Sequence, residues 1–488
     1  MSPLRFPTCP RRALVVALGA ALTACSSAPA YRPPSVDVPA HYAGAGTGTE
    51  ATPATSWTAA APAADAPRGA WWRVFGDTQL NALEARVDVS NQSVRKALAD
   101  LDAARAMTDF QRAGLLPTLT AGAAQSRYRT SANKQGASLA GKTVPDYAIG
   151  ATATWEPDVF GRLRDEVDSA RANAQASAAD LEAVRLAVTA QLAADYFDLR
   201  SLDAQKRLLD DSVRGYASAL RIVQNQQRNG AIDASAVAQA QTQLDSTRTQ
   251  ARDIDVNRAQ LEHAIATLTG EPASNFSLPP APADYRVPAI PAGLPSQLME
   301  RRPDIAAAQR RVAAANAEIG AARAAFFPNL VLSASAGLES SFFAPWLSAP
   351  SLFWSLGPQL VGTLFDGGKR SATLRAKTAQ YDGTVAQYRQ TVLGAFEQVE
   401  NQLSALQALA DESATQQRAA QAAQQALSLT TRRYDAGAVS YLDVVTSQTI
   451  ALTNERDAVV IEGRRMAACV RLIEALGGTW DAPESKNE

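Results

Sequence analysis

The sequence predicts a mainly α-helical protein with a small β part, built as a tandem duplication, and three features predict it. The proline-free intervals Asp158 to Glu271 and Gln359 to Ala482 hold two rods, about Leu163 to Arg228 and Lys369 to about Ala436. Helix can run through both unbroken, because proline is what removes a backbone donor and clashes with the preceding turn. In the first rod Val188, Leu192, Tyr196, Leu199, Leu202, Leu209, Val213, Tyr216, Leu220 and Val223 recur every three or four residues, with a single gap of seven after Leu202. That spacing averages near the heptad repeat of a coiled coil. In the second rod the seam Val392, Phe396, Val399, Leu403, Leu406 continues through the smaller or polar Ala410, Ser413, Gln417, Ala420 and Gln424 to Leu427 and Tyr434. Each rod ends in a glycine turn, Asn229-Gly230-Ala231-Ile232 or Ala436-Gly437-Ala438-Val439. The next glycine follows 40 residues later in both cases, at Gly270 and Gly477. Upstream, Pro117 follows Val94 and Pro328 follows Ile305 by the same 23 positions, and the two stretches lie 211 apart. A period this long marks two copies of a large module, not a solenoid of short repeats.

The chain begins with Arg5, Arg11 and Arg12, no acid, and the apolar run Ala13 to Leu22. This reads as a secretory signal over 1–24, too short for a membrane span. It closes on Leu22-Thr23-Ala24-Cys25, which resembles the bacterial lipobox, in which the cysteine is acylated and becomes the mature N-terminus. Cys25 is therefore the expected lipid anchor, and serine at position 26 permits sorting to the outer membrane. Loss of the three arginines takes the net charge from −1 to −4, which gives no reason to expect nucleic acid. Cys9 leaves with the signal and Cys469 is then alone, so no disulfide within the chain is expected. Residues 25–76 read as a lipidated tether, rich in Ala, Pro, Thr, Ser and Gly, with little to bury.

Asp77 is placed to cap a helix of about 37 residues running to Ala113, which belongs to a first helical segment, 77–115. This helix and the 40-residue one after the rod would stack end to end to match the rod's length. Four segments read as strands: Thr118 to Arg129, Tyr147 to Glu156, Asn329 to Glu339 and Trp354 to Leu364. Their side chains alternate, most clearly Leu330, Leu332, Ala334, Ala336, Leu338 against Val331, Ser333, Ser335, Gly337, Glu339. Each is about ten residues long with aromatics near its ends, the dimensions of a tilted transmembrane strand. Two soluble hairpins packed on the helices are the alternative. In lipid a barrel needs at least about eight strands, so four per chain require oligomerisation, and a trimer supplies twelve around a water-filled lumen. The remaining segments follow from the duplication: strands over 116–158 and 327–365, helical hairpins over 159–270 and 366–477, a proline-rich linker over 271–296, the helix of copy two over 297–326, and a tail over 478–488.

The linker runs into Leu294-Pro295-Ser296-Gln297-Leu298-Met299-Glu300-Arg301-Arg302-Pro303-Asp304-Ile305. That stretch resembles the signature of the TolC-like outer-membrane factors, in the lipoprotein branch that works with resistance-nodulation-division pumps. Locally, Pro303 in a first turn beside Asp304 is also simply a good helix start. Trp71-Trp72, Phe75, Asp77, Phe365-Asp366-Gly367-Gly368-Lys369-Arg370, and Tyr434, Gly437 and Ser440 to Val445 with Gln448 extend the resemblance over nearly the whole mature chain. The resemblance implies a trimeric outer-membrane β-barrel continued by a periplasmic α-helical barrel, lipid-anchored in a Gram-negative outer membrane. It implies a periplasmic adaptor and an inner-membrane pump as partners. It places the tips Asn229, Gly230, Ala231, Gly437, Ala438 and Val439 where adaptor hairpins dock, although both glycines also serve as plain helix stops. A periplasmic gate is expected at Tyr434, Leu442, Asp443 and Thr446. The last three share one helical face, and three Asp443 carboxylates on a trimer axis would form a ring that attracts cations and accepts hydrogen bonds from Tyr434 or Arg432. Asp443 at a helix start is equally a cap. Family members often carry an acid at the position of Thr446, so a second charged ring is in doubt here.

Gly136 to Thr143 fits the phosphate-loop pattern G-x-x-x-x-G-K-[ST]. Without an entering apolar strand and a leaving helix, however, the amides and helix dipole cannot converge on phosphate, so it reads as a loop between strands. His41 and His263 sit in no ligand spacing, and the mature chain keeps only Met107, Met299 and Met466, so no metal site and no cofactor beyond the lipid on Cys25 is expected. The function expected is a passive exit duct of an efflux system and not an enzyme. The alternatives are a protein-secretion channel of the same fold and a non-transporting coiled-coil spacer.

Overall fold

A computed structural model describes residues 29–39, 42, 69–133, 140–282, 287–288 and 301–478. Cys25, the signal, and the part of the signature before Arg301 lie outside the described residues. In order, the elements are helices α1 (Thr78–Ser90) and α2 (Gln92–Ala113), strands β1 (Thr118–Arg129) and β2 (Thr143–Trp155), and helices α3 (Arg162–Arg228), α4 (Ala234–Leu268) and α5 (Pro303–Ala324). Strands β3 (Asn329–Ser340) and β4 (Leu352–Val361) and helices α6 (Lys369–Asp435) and α7 (Tyr441–Ala475) follow. Both α3 and α6 have 67 residues and both α4 and α7 have 35, so the duplication is metrical. At 1.5 Å per residue each long helix has a contour of about 100 Å.

Contacts divide the chain into two units, the first comprising Met1–Ser35, Asp100–Ser177 and Ala308–Tyr388. Its sheet is fully antiparallel in the order β1-β2-β3-β4. Strand β2 starts at Thr143, four residues earlier than the alternation suggested, and includes Pro145. The early start is possible because β3 pairs only with Tyr147–Trp155, leaving Pro145 with a single neighbouring strand, where a missing N–H is tolerated. At the helix end of the sheet, Trp155 Nε1 donates to the Leu115 carbonyl at 3.0 Å, and Phe160 stacks on Phe327 with centroids 4.8 Å apart. Residues near the start of the tether lie along α5: Asn316 donates to the Pro29 carbonyl and Tyr31 to that of Gln309.

The second unit comprises Val36–Ala99, Ala178–Ala307 and Arg389–Glu488. Here the helix of about 37 residues expected to run from the Asp77 cap to Ala113 is broken. Asn91 leaves helical geometry at φ −67°, ψ 127°, and its Oδ1 accepts from Ser93 N and Val94 N, so it caps a new helix. Its Nδ2 donates to the Leu268 carbonyl, the last of α4, at 2.8 Å. The expected end-to-end stacking therefore occurs between α4 and α2, with the extended backbone at Asn91 separating α1 from α2. Copy two repeats the joint: Arg302, immediately before α5, donates to the Ala475 carbonyl at the end of α7, at 2.9 Å. Each joint also needs its glycine. Gly270 (φ +75°) and Gly477 (φ +90°) are left-handed, and a Cβ there would lie 2.4 Å from the Ser90 carbonyl oxygen or 3.0 Å from that of Arg301. Asp203, almost fully buried, accepts from Arg200 and Arg258, whose guanidinium groups also reach the carbonyls of Pro279 and Leu278. This pins the start of the linker to α3 and α4.

Candidate functional site: a membrane sheet and a helical tip

The register sorts the sheet's side chains onto two faces. Rows such as Ala123–Ile149–Leu338–Leu352 and Ala121–Ala151–Ala336–Trp354 lie on one face, with Leu119, Leu332, Leu356 and Leu360. The other face carries Thr118, Thr120, Ser126, Thr152, Thr154, Ser333, Ser335, Ser355 and Gln359. Leu119, Trp354, Leu356 and Leu360 are 67–76% exposed, so nothing among the described residues covers them. The apolar face reaches nine residues along β4, from Leu352 to Leu360. A strand of that length tilted by about 40° fits an outer-membrane apolar band of about 25 Å. On the polar face Gly150 and Gly337 face each other under Phe353; a Cβ at Gly337 would lie 2.8 Å from the ring, so these glycines make room for it. The outer edges of β1 and β4 have no partner strand among the described residues.

At the glycine turns the two rod ends are built alike. Gly230 and Gly437 adopt φ +70° and +72°, and the following amides, Ala231 N and Ala438 N, return to the carbonyls of Gln226 and Arg433. This is the Schellman arrangement that ends a helix at glycine. Asp233 then caps α4, and Ser440 with Asp443 forms a capping box on α7. The tip residues Asn229, Gly230, Ala231, Gly437 and Ala438 are exposed, Val439 is half-buried, and a Cβ on either glycine would meet nothing within 4 Å. Helices α3 and α4 bury Leu209, Tyr216, Leu220 and Val223 against Ala236, Ala240, Leu244 and Ala251, and Tyr441, Val444 and Leu452 of α7 join the same cluster. Between α6 and α7 a small apolar cluster of Leu409, Ile461 and Ala468 gives way, nearer the tip, to polar contacts: Ser413 and Gln417 reach Glu462, Gln416 reaches Asn454, and Gln424 reaches Glu455.

A model of the outer membrane efflux protein family matches residues 85–271 and 294–478, one match per copy. The chain belongs to the outer membrane efflux protein family. It is 30% identical to the cation efflux system protein CusC of Escherichia coli O6:H1 over 476 residues, covering 96% of this chain and 99% of that protein. It is 31% identical to the toluene efflux pump outer membrane protein TtgC of Pseudomonas putida, covering 94% and 93%. The structure of the outer-membrane channel OprN superposes with a TM-score of 0.83 at 27% identity, covering 93% of this chain and all of that one. The protein is an outer-membrane efflux duct of a Gram-negative bacterium, extending from the membrane into the periplasm.

Within this efflux-protein frame the expected gate residues fall as follows. Leu442, Asp443 and Thr446 are exposed along one face of α7, with Thr449 and Ile450 continuing it. Within the chain, Asp443 is bonded to Ser440 through the amide at 2.9 Å and the hydroxyl at 2.7 Å, and these bonds hold its carboxyl below the usual carboxylate range. Tyr434 does not meet Asp443 in this chain. Its hydroxyl donates to Gln226 Oε1 at 2.9 Å, and its ring packs on Tyr441 at 5.5 Å. Gln226 was not singled out in the sequence, nor were Gln243 and Gln250, which bond to Thr449 and Arg456. The available signal is the duplication itself, since each of these pairs is 206 or 208 residues apart and so joins nearly equivalent positions of the two copies. Arg302 of the signature is buried, with its guanidinium bonded to both oxygens of Asp304, to Gln398 and to the end of α7. Pro303 opens α5 and Ile305 is 2% exposed, so this part of the signature is a three-helix clamp. The phosphate-loop pattern ends in Thr143, the first residue of β2, and Gly141 N donates to the Thr130 carbonyl as part of a strand hairpin.

Proposed function

We propose that three copies close the sheets into one twelve-stranded barrel, in which the edge of β4 on one chain pairs with the edge of β1 on the next. The observation that carries this is the sheet itself: one face apolar and exposed, and two edges unpaired. Lipid offers no hydrogen bonds to an open edge, and four strands are too few to close alone. The polar face then lines a wet lumen, and small molecules pass without chemistry being done on them. The duct is passive, and the chain carries no enzymatic activity. A periplasmic adaptor docking at the tips around Gly230 and Gly437, and a resistance-nodulation-division pump behind it, supply cargo and energy. Relatives of nearly equal identity serve cation efflux in one case and toluene efflux in another, which supports a duct whose cargo is chosen by its partners. Acylated Cys25 adds an anchor in the inner leaflet. Leu442, Asp443 and Thr446 face the axis at the periplasmic end and narrow it. The native mass of the protein extracted in mild detergent tests the assembly: three chains are expected, and a monomer or dimer that conducts ions would refute the barrel.

A further inference from the structure

The four strands carry only four charged residues, and the register separates them by sign. Arg127 and Arg129 are in phase with Leu119, Ala121 and Ala123, so they project from the apolar face that meets lipid. Asp146 and Glu339 are out of phase with that face and project into the lumen. All four sit at the end of the sheet away from the helices. Both arginines are exposed, and neither has an ion-pair or hydrogen-bond partner among the described residues. The residues across from them are Pro145 and Thr143, which offer no charge.

Their height indicates which anion they meet. The last fully apolar row is Ala123–Ile149–Leu338–Leu352; Gln125 pairs with Tyr147 in the row above it, then Arg127 with Pro145, then Arg129 with Thr143. Arg127 and Arg129 are thus four and six residues beyond the apolar band. At about 3.4 Å per residue and a tilt near 40° they stand roughly 10 and 16 Å above the hydrocarbon. A phospholipid headgroup layer is only about 5–8 Å deep on each side. Tyr147, Phe343 and Trp346 cluster with centroids 5.5–6.2 Å apart just below this level, and Phe343 is 70% exposed, as an interfacial aromatic would be. We propose that Arg127 and Arg129 form a docking site for the phosphorylated glycolipid of the outer leaflet, lipopolysaccharide, whose phosphates extend from the lipid level into the sugar layer above it. Guanidinium groups suit the task, because their planar donors take phosphate oxygens in pairs. Repeated in each chain, the site would girdle the outer rim of the duct.

The inference rests on the barrel reading, and the test separates the two. Full-length wild type and the Arg127→Gln/Arg129→Gln double variant, delipidated in detergent, are titrated with purified lipopolysaccharide, with the same material enzymatically dephosphorylated, and with phosphatidylglycerol vesicles. Wild type should bind lipopolysaccharide about 25-fold more tightly than the variant, roughly fivefold per arginine. Dephosphorylation should remove that difference, and phosphatidylglycerol should bind both proteins alike. Equal lipopolysaccharide binding by the two proteins overturns the site, as does an undiminished difference with dephosphorylated material or a wild-type preference for phosphatidylglycerol. Conductance of the same preparations in phosphatidylcholine bilayers is read alongside. Channels without lipopolysaccharide binding refute the site alone, whereas wild type that neither conducts nor binds refutes the barrel beneath it.

Discussion

Glu84 lies on the buried face of α1, 1% exposed, and neither carboxyl oxygen has a hydrogen-bond partner among the described residues. Burial first, and the nearby Asp88 second, raise its pKa to about 9, so it is protonated in the folded protein at neutral pH. Because the folded value lies above the unfolded 4.5, its contribution to stability is intact below about pH 4.5 and is lost progressively as the pH climbs towards 9. The Glu84→Gln variant should therefore gain over wild type as the pH is raised from 5 to 8, by a few kcal/mol at most. Thermal unfolding at both pH values checks this; a gap that does not widen would mean that Glu84 is solvated. The glycines separate into two kinds by the same residue-scale reasoning. Gly437→Ala should cost about 1–2 kcal/mol, the strain of a left-handed alanine, since a Cβ there meets nothing. Gly270→Ala should cost roughly 1–3 kcal/mol more, because its Cβ collides with the Ser90 carbonyl. Similar melting temperatures for the two variants would contradict the close helix joint. Neither Glu84 nor the Gly270 joint was legible in the sequence. A lone glutamate in an amphipathic helix reads as solvated, and the approach of Gly270 to Ser90 spans 180 residues.

At the scale of elements the rods and strands were legible because each is set by a local rule: absence of proline, a heptad seam, or period-two alternation. The break at Asn91 was not, since one polar residue inside a 37-residue helical pattern carries little weight against its neighbours. The Ser90-Asn91 doublet was the only local cue, and Asn91 breaks the helix by capping α2 and holding the end of α4 at once. The surroundings of the proposed gate were half legible. The shared face of Leu442, Asp443 and Thr446 followed from helical spacing, but Gln226, the partner of Tyr434, lies in the other copy. Nearer the tip than the Leu409–Ile461–Ala468 cluster, the contacts of α6 with α7 are polar, in contrast to the apolar packing of α3 on α4, so these tipward parts of α6 and α7 are the ones expected to shift when the periplasmic end opens. Tyr434→Phe removes one hydrogen bond per chain, roughly 1 kcal/mol, and about three times that in a trimer. The closed-to-open ratio should then fall on the order of a hundredfold, read as raised single-channel conductance and greater sensitivity to large antibiotics. Asp443→Ala should lower cation preference and, by undoing the capping box, cost α7 about 1 kcal/mol. Unchanged conductance and unchanged selectivity in a variant that combines Tyr434→Phe with Asp443→Ala would place the constriction elsewhere.

For the whole molecule, the requirement for closure was legible from strand count alone, while the sorting of charge between the two sheet faces needed the register. One acyl chain holds a protein on a membrane only marginally and several hold it stably, whereas a closed barrel holds without any lipid. Cys25→Ser should accordingly leave trimers in the outer membrane while some precursor accumulates unsorted, and wild type with no lipid mass at its N-terminus would remove Cys25 as the anchor. Gly437→Glu should leave the fold intact, since the tip is open, yet uncouple the duct from its adaptor; a folded variant with full efflux would move the docking surface elsewhere. The central claim is that three copies of this chain enclose one water-filled path through the outer membrane. Planar-bilayer recording of the purified protein tests it most directly. The account predicts discrete, cation-preferring channels whose conductance rises in Tyr434→Phe, and folded trimers that insert into the bilayer without conducting would contradict it.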